Sequence, residues 1–150
     1  MYHAIVRRKV RQLFEAVSRG DAEPVLRAFA PRFEHGFLGE SALGGVRRSL
    51  GATRAWYERL YRLMPDIGFE VGRIQVAGGP WNTLVVAEWR ESNSGTDGVR
   101  TWNRGCHVLR LAWGRATSLL ICPDTAGLAA TLERLSAKGV AEATAPPIVD

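Results

Sequence analysis

The sequence predicts an α+β domain in which helices lie against a strongly curved antiparallel sheet. The predicted elements follow the order α-α-β-α-β-β-β-β-α, so helices are grouped ahead of a run of neighbouring strands. The chain has 150 residues, 46% of them hydrophobic and 23% charged, which is typical of one domain with its own core. The run from Val99 to Leu128 is typical of a β-hairpin leading into a helix, and both faces of the hairpin are apolar. We therefore expect a single domain over residues 1–140 and a flexible, Ala/Pro-rich tail at residues 141–150.

Three helices precede the long strands. The first is expected to end at Gly20, and its apolar stripe recurs every three or four residues, at Val6, Val10, Leu13, Phe14 and Val17. Asp21 is expected to cap a short second helix that ends at Pro31. A third helix is expected to begin at Thr53 and to end at Pro65, with an apolar side formed by Ala55, Trp56, Leu60 and Leu63.

The strands show the two-residue alternation of a pleated sheet. Phe33, His35 and Phe37 alternate with polar or small residues, which predicts a short strand with one aromatic face. Residues 39–51 are rich in Gly and are expected to form a loop. Two longer strands are expected at residues 67–77 and 81–91.

The last two strands form the hairpin, and its turn predicts the register. With Trp113 and Gly114 as the two loop residues, Cys106 should lie opposite Ile121. One face then holds Trp102, Arg104, Cys106, Val108, Leu119, Ile121 and Pro123. The other face holds Asn103, His107, Leu109, Leu111, Ser118, Leu120 and Cys122. Because this register places Cys106 and Cys122 on opposite faces, two free thiols are expected, and two cysteines alone predict no metal site.

Composition and motifs disfavour several classes of function. The net charge is +5, and all but Lys9 and Lys138 of the 20 basic residues are arginines interleaved with acids, without an RNP-type or finger-type motif. Nucleic-acid binding is therefore not expected. No apolar run approaches the roughly 18 residues of a membrane span, and Arg7 and Arg8 lie where a signal peptide is apolar, so a cytoplasmic protein is expected. No Ser-His-Asp, Walker or GxGxxG pattern is present, so neither a hydrolase triad nor a nucleotide cofactor is expected.

Several segments together resemble a known family. The C-terminal third contains Asn103-Arg104, His107-Val108-Leu109-Arg110, Trp113-Gly114-Arg115, then Leu120-Ile121-Cys122-Pro123-Asp124-Thr125 and a Leu-rich helix at residues 128–135. The first part contains Arg19-Gly20-Asp21-Ala22, Phe29-Ala30-Pro31, Leu43-Gly44-Gly45, the run at residues 54–60 and Met64-Pro65-Asp66. Over about residues 4–136 the chain resembles SnoaL-like proteins of the NTF2-like superfamily, which includes polyketide cyclases and ketosteroid isomerases. The resemblance implies a cone-shaped α+β fold whose curved sheet and N-terminal helices enclose a pocket.

The resemblance implies one catalytic candidate, and the strand pattern adds others. Asp124 matches the acidic residue that acts as general acid/base in SnoaL-type cyclases, although an Asp at this position is equally expected as a helix N-cap. His35 is a second candidate base, or else a packed, hydrogen-bonded histidine. Arg104 is expected on the pocket face, where it binds an anionic or carbonyl group or pairs with Glu88. His107 is expected to face outward, at an interface or in solvent.

The expected binding residues are mostly aromatic: Trp56, Tyr57, Trp89, Trp102 and Cys106. The comparison with ketosteroid isomerases places Leu13 where those enzymes have their oxyanion-binding tyrosine, and Cys106 where they have a hydrogen-bond-donating acid. Steroid-isomerase chemistry is therefore not expected, because Tyr57 alone makes a poor oxyanion hole.

These expectations lead to one function and one alternative. The function is binding of a small, largely apolar, ring-bearing molecule, with cofactor-free proton transfer beside a carbonyl, as in aldol cyclisation or isomerisation. Asp124 or His35 would move the proton, and Arg104 or Tyr57 would stabilise the enolate oxygen. The alternative is a non-catalytic ligand-binding or dimeric scaffold protein, because one fold hosts many functions. A homodimer is expected through the outer sheet face, which the register makes apolar through Leu109, Leu111 and Leu120.

Overall fold

The framework is a six-stranded sheet, seen in a computed structural model that describes all residues 1–150. Its strands are β1 (Phe29–Phe37), β2 (Gly45–Arg47), β3 (Gly68–Gly79), β4 (Asn82–Asn93), β5 (Thr101–Ala112) and β6 (Arg115–Pro123). Their order across the sheet is β2-β1-β6-β5-β4-β3. All neighbouring pairs are antiparallel except β1 and β6, which run parallel. The sheet is curved and unclosed, which confirms the predicted α+β class, while β2 lies where the sequence predicts only a loop.

Four helices accompany the sheet: α1 (Tyr2–Ser18), α2 (Glu23–Ala28), α3 (Leu50–Leu63) and α4 (Thr125–Ala137). The predicted stripe of α1 packs inward, with Val6, Val10, Phe14 and Val17 buried. The cap of α3 is Ser49, whose Oγ accepts from the Ala52 amide, so the helix begins three residues before Thr53, its predicted start. Asp124 caps α4 by accepting from the Gly127 amide, as one interpretation of the sequence expects.

A β-bulge changes the predicted register of the β5–β6 hairpin. Ala112 pairs with Arg115 around the Trp113-Gly114 turn, as predicted, but the register shifts before Arg110, which pairs with Ser118. Thr117 is the extra residue of β6, so from Arg110 back to Gly105 each residue of β5 lies opposite a β6 residue one position further on than predicted. This slip reverses which residues of the two strands share a face.

The bulge therefore reverses the predicted faces of β5. Asn103, His107, Leu109 and Leu111 lie on the concave inner face with Leu119, Ile121 and Pro123 of β6. Trp102, Arg104 and Cys106 lie on the outer face, contrary to the prediction. Cys106 and Cys122 are directly opposite each other instead of on opposite faces, yet both thiols are free.

The C-terminal residues, for which the sequence predicts a flexible tail, contact the domain. Residues 141–144 form a short 3₁₀ helix. Beyond it, the carbonyl of Pro146 accepts a hydrogen bond from Arg59 at 2.8 Å, and the carbonyl of Ile148 accepts one from Arg47 at 2.7 Å. The segment thus supplies acceptors to two arginines of the body of the domain. None of the helices is long and apolar enough to cross a bilayer.

Candidate functional site

A cavity of about 240 Å³ lies between the concave face of the sheet and the helices. Apolar side chains of α1, α3 and the inner strands form most of its wall. Ile5, Lys9 and Gly114 line the cavity and are also exposed, so they mark its rim. The polar or charged side chains in the wall are Tyr2, Lys9, Tyr57, Glu91, Asn103 and His107.

His107 is one of these polar groups and lies among aromatic rings. Phe14 has its ring centroid 4.7 Å from the imidazole, and Trp89 donates its indole N–H to His107 Nδ1 at 2.8 Å. Gly105 permits this arrangement, because a Cβ there would lie 2.8 Å from the Trp89 ring. Burial lowers the pKa of His107 to about 3, so the ring is neutral near pH 7.

The hydrogen bond from Trp89 determines the tautomer of His107. An indole N–H can only donate, so Nδ1 is the acceptor and Nε2 carries the proton. Nε2 forms no hydrogen bond within the protein, and the ring lines the cavity. His107 can therefore offer a neutral N–H donor to a bound molecule.

Glu91 is the one carboxyl group in the cavity wall. It is 6% exposed, and its Oε1 accepts a hydrogen bond from Asn93 Nδ2 at 2.6 Å. Burial raises the pKa of Glu91 to about 7; Asp66 adds to this effect, whereas the Asn93 hydrogen bond and Arg100 oppose it. A carboxyl group with this pKa can both accept and release a proton at neutral pH.

The positions of Glu91 and His107 in the sheet separate them along the cavity. Glu91 pairs with Asn103 and His107 pairs with Ala87, so the two sites are four residues apart along neighbouring strands. At about 3.4 Å per residue, this places their backbones about 14 Å apart along the strand direction, before their side chains extend into the cavity.

His35 lies outside the cavity wall and is fully buried, at 0% exposure. Its Nδ1 accepts from Arg47 Nε at 3.1 Å, and its Nε2 lies 3.3 Å from the hydroxyl of Tyr57, which does line the cavity. Burial, followed by the charge of Arg47, lowers the pKa of His35 to about 3. A base so difficult to protonate, and behind the wall, is poorly placed to take a proton from a ligand.

Asp124 and Arg104 also lie outside the cavity. Asp124 is exposed, caps α4, and is held by Asn103, whose Oδ1 accepts from the Asp124 amide and whose Nδ2 donates to its carbonyl, each at 3.0 Å. Arg104 is exposed on the outer face and forms no salt bridge, and Glu88 is exposed on the same face. Helix capping therefore accounts for Asp124, and the cavity position expected for Arg104 is wrong.

The structure divides the predicted binding residues into two groups. Trp56, Tyr57 and Trp89 line the cavity, as predicted. Trp102, which is 57% exposed, and Cys106 lie on the outer face because of the bulge in the hairpin. The described chain contains no group of three His, Cys, Asp or Glu side chains that could hold a metal ion.

Two residues that line the cavity were missed or misplaced by the sequence reasoning. His107 was expected to face outward, and Glu91 was not considered. A signal for Glu91 exists in β4, where Glu88 and Arg90 are charged and lie on the outer face. Their neighbours at odd positions, including Trp89 and Glu91, must then face inward.

Comparison with known proteins agrees with this architecture. Among solved structures, the chain is similar to an NTF2-like protein of unknown function from Burkholderia pseudomallei, with 22% identity over 83% of this chain and 95% of that one, and a TM-score of 0.69. It is also similar to a candidate SnoaL-like polyketide cyclase from Jannaschia, with 17% identity over 81% and 86% of the two chains and a TM-score of 0.64. A third similar structure is Bal32a, from a soil-derived mobile gene cassette. It is 17% identical over 79% of this chain and 88% of its own, with a TM-score of 0.67.

Identities this low show the fold, which is NTF2-like, and leave the activity open. Among curated proteins, none has a matching sequence. The sequence profile of the SnoaL-like domain matches residues 10–119, which include the second half of α1, all of α3 and most of the strands around the cavity. The chain therefore belongs to the SnoaL-like domain family.

Proposed function

We propose that this protein binds a small, largely apolar ring compound in the cavity and transfers a proton beside its carbonyl group without a cofactor. The observation that carries the proposal is the position of Glu91, a carboxyl group with a pKa of about 7 in an otherwise largely apolar wall. Active sites tune carboxyl groups to this range because the ideal general base titrates near the working pH.

The size of the cavity restricts the ligand. An apolar protein cavity of about 150 Å³ holds benzene. At about 240 Å³, this cavity suits one ring with substituents or two fused rings, and it is small for a larger polycyclic molecule. The name of the Jannaschia relative, a candidate polyketide cyclase, supports a carbonyl-bearing ring compound as the class of ligand.

The chemistry follows from the two ends of the cavity. The carboxylate of Glu91 takes a proton from the carbon beside the carbonyl, and the electron pair of that C–H bond moves to the carbonyl oxygen to form an enolate. The N–H of His107 donates to this oxygen, and a neutral donor preorganised in an apolar site stabilises such a charge more than it does in water. In an unsaturated ketone, return of the proton from Glu91 to the far carbon of the conjugated enolate completes a double-bond isomerisation. In an aldol cyclisation, the enolate carbon attacks a second carbonyl carbon of the same molecule, and the proton on Glu91 passes to the alkoxide oxygen that forms.

The predominantly apolar wall favours one alternative, a protein that binds the ring compound and does no chemistry. The two functions differ in whether a bound ketone exchanges hydrogen with water. β-Tetralone, a two-ring ketone of suitable size, serves as the probe in D₂O, with deuterium incorporation beside the carbonyl followed by NMR.

The test compares Glu91→Gln with the matched control Glu88→Gln, an exposed residue on the outer face of the same strand. Wild type and the control should accelerate deuterium exchange equally. The exchange rate with Glu91→Gln should be about 100-fold lower or more, since this is the usual contribution of a general base. Binding without accelerated exchange in the wild type would favour the non-catalytic alternative. Absence of binding, seen as no change in tryptophan fluorescence, would overturn both functions.

We also propose that the protein is a cytoplasmic homodimer joined through the outer sheet face, and its two free thiols are in keeping with that compartment. Leu109 and Leu111, expected on this face, lie on the inner one. The outer face is nevertheless apolar, through partly exposed side chains that include Leu84, Val86, Trp102, Val108 and Leu120. Light scattering of wild type and Leu120→Glu should show a dimer and a weakened dimer, and a monomeric wild type would refute the proposal.

A further inference from the structure

We infer that Tyr57 is a dedicated hydrogen-bond donor to the ligand, held in that role by His35 and Arg47, and that the ligand therefore carries an acceptor oxygen at α3. The inference rests on the proposed function in one respect only, namely that the cavity binds a ligand. It adds a second donor besides His107, contributed by a helix instead of the sheet.

The first step concerns Arg47, whose position determines the direction of the hydrogen bonds. A guanidinium N–H can only donate, so the 3.1 Å contact from Arg47 Nε makes His35 Nδ1 an acceptor. Three further N–H groups of Arg47 donate to backbone carbonyls of Gly44, Gly45 and Ile148 at 2.7–3.2 Å. With all these partners in place, Arg47 is buried at 0% exposure and cannot reorient without losing several hydrogen bonds.

The second step concerns the proton of His35. Because the ring is neutral and Nδ1 is the acceptor, the proton is on Nε2, which points to the Tyr57 hydroxyl at 3.3 Å. His35 thus donates to the oxygen of Tyr57 and cannot accept its proton. The rings of Trp56 and Tyr57 pack edge-on against His35, at 4.7 and 5.3 Å between centroids, which fixes the imidazole in this orientation.

The third step concerns the hydroxyl proton of Tyr57. His35 Nε2 is its one hydrogen-bond partner in the protein, and that partner is a donor, so the hydroxyl proton has no acceptor there. Tyr57 is 4% exposed, and it lines the cavity, whereas His35 and Arg47 do not. A buried hydroxyl that already accepts one hydrogen bond and has no acceptor for its own proton favours a ligand oxygen beside it.

The arrangement also strengthens the donor. Hydrogen bonds in a chain polarise one another, and the cationic end of this chain is Arg47. As negative charge develops on a ligand oxygen, this series of hydrogen bonds can polarise towards it and strengthen the Tyr57 donor. The charge of Arg47 itself stays outside the cavity. His35 and Arg47 are therefore positioning residues, and Tyr57 is the group that touches the ligand.

The test uses a matched pair of probes, β-tetralone and tetralin, which share a two-ring skeleton and differ in the carbonyl oxygen. Tyr57→Phe removes only the hydroxyl. Tyr61→Phe is the control, since Tyr61 lies one turn further along α3 outside the cavity wall and donates its hydroxyl to the carbonyl of Val17. Affinities are measured by tryptophan fluorescence, and the carbonyl stretching frequency of bound β-tetralone by infrared difference spectroscopy.

We expect Tyr57→Phe to weaken β-tetralone binding about five- to tenfold, to leave tetralin binding unchanged, and to raise the carbonyl frequency. Tyr61→Phe should change none of these. His35→Leu should raise the carbonyl frequency part of the way, and His35→Gln, whose amide can accept from Arg47 and donate to Tyr57, should restore it. The infrared signal separates a positioning role from a merely structural one, because it reports only the bond to the ligand oxygen.

Each other outcome is decisive. If both probes bind wild type and Tyr57→Phe changes neither the affinity for β-tetralone nor its carbonyl frequency, the inference is overturned and the proposed cavity function stands. If Tyr57→Phe weakens both probes equally, the hydroxyl acts on the fold instead of the oxygen, and the inference is again overturned. If neither probe binds wild type, the proposed function and the inference fall together.

Discussion

Replacing Glu91 with Gln should raise the free energy of unfolding at pH 8. The change should leave the contributions of the other titratable groups to the pH dependence of stability as they are. Burial raises the pKa of Glu91 from an ordinary value of 4.5 to about 7. The folded state therefore holds the proton more tightly than the unfolded chain does. Glu91 destabilises little below pH 4.5, and its cost grows as the pH rises towards 7 and then levels off. A neutral Gln of the same shape carries no such cost.

The size of the effect follows from linkage. With pKa values of 4.5 unfolded and about 7 folded, the contribution of Glu91 to the free energy of unfolding falls by about 2.5 kcal/mol between pH 5 and pH 8. His35 and His107 act in the opposite direction: their pKa values are lowered to about 3, so their contribution is present above pH 6.5 and is lost as the pH falls. At pH 5 each histidine lowers the free energy of unfolding by up to about 2 kcal/mol relative to its value at pH 8. A plot of wild-type stability against pH would therefore conceal the effect of Glu91.

The diagnostic quantity is therefore the difference between two variants at each pH. Urea denaturation of wild type, Glu91→Gln and the outer-face control Glu88→Gln gives the free energy of unfolding at pH 5 and pH 8. The advantage of Glu91→Gln over wild type should grow by about 2.5 kcal/mol between these pH values, and that of the control should stay constant. Parallel curves for wild type and Glu91→Gln would show that Glu91 ionises normally in the fold, and the general-base assignment would lose its support.

Three further predictions concern the framework of the site. Gly105→Ala would place a Cβ against the backbone carbonyl oxygen of Cys122 and 2.8 Å from the Trp89 ring, so both the β6 backbone and the ring must shift. Calorimetry should show a lower melting temperature and tryptophan fluorescence should change; an unchanged melting temperature would contradict this close packing. Thiol titration of the denatured, unreduced protein should find two free thiols. Treatment of the folded protein with diamide should oxidise Cys106 and Cys122 together to a disulfide, because the two residues are directly opposed; loss of only one thiol would contradict this pairing. Deletion of residues 146–150 removes the Ile148 carbonyl that accepts a hydrogen bond from the buried guanidinium of Arg47, and it should destabilise the domain by about 1–3 kcal/mol. An unchanged melting temperature would show that this hydrogen bond does not stabilise the fold.

The elements of this fold follow closely from sequence periodicity. The stripe of α1 is buried, and the cap of α4 is the predicted Asp124. The short β2 was missed, because three residues beside several glycines show no alternation. The parallel pairing of β1 with β6 was also missed, because nothing in the local pattern of either strand records which distant strand lies beside it.

The site was predicted less well, and one residue explains most of the difference. Thr117 bulges out of β6, and that single insertion moves His107 into the cavity and Arg104 out of it. The sequence does carry a sign of this bulge, since the polar pair Thr117-Ser118 interrupts the alternation between the inward Ala116 and Leu119. A two-residue turn alone implies an unbroken ladder, so a register counted from it is wrong beyond the first bulge.

The distribution of charge in the cavity fits a ligand that is neutral when it binds and becomes anionic as it reacts. A free cation in an apolar wall would be costly, and it would favour ligands that are already anions. Here Lys9 is confined to the exposed rim, and the buried guanidinium of Arg47 lies behind His35. The groups placed to touch a ligand oxygen, His107 and Tyr57, are neutral donors. Glu91 is the one group in the interior wall that exchanges a proton near pH 7. Such a cavity stabilises charge as it forms and offers little to charge that is already present, which is the requirement for proton transfer beside a carbonyl.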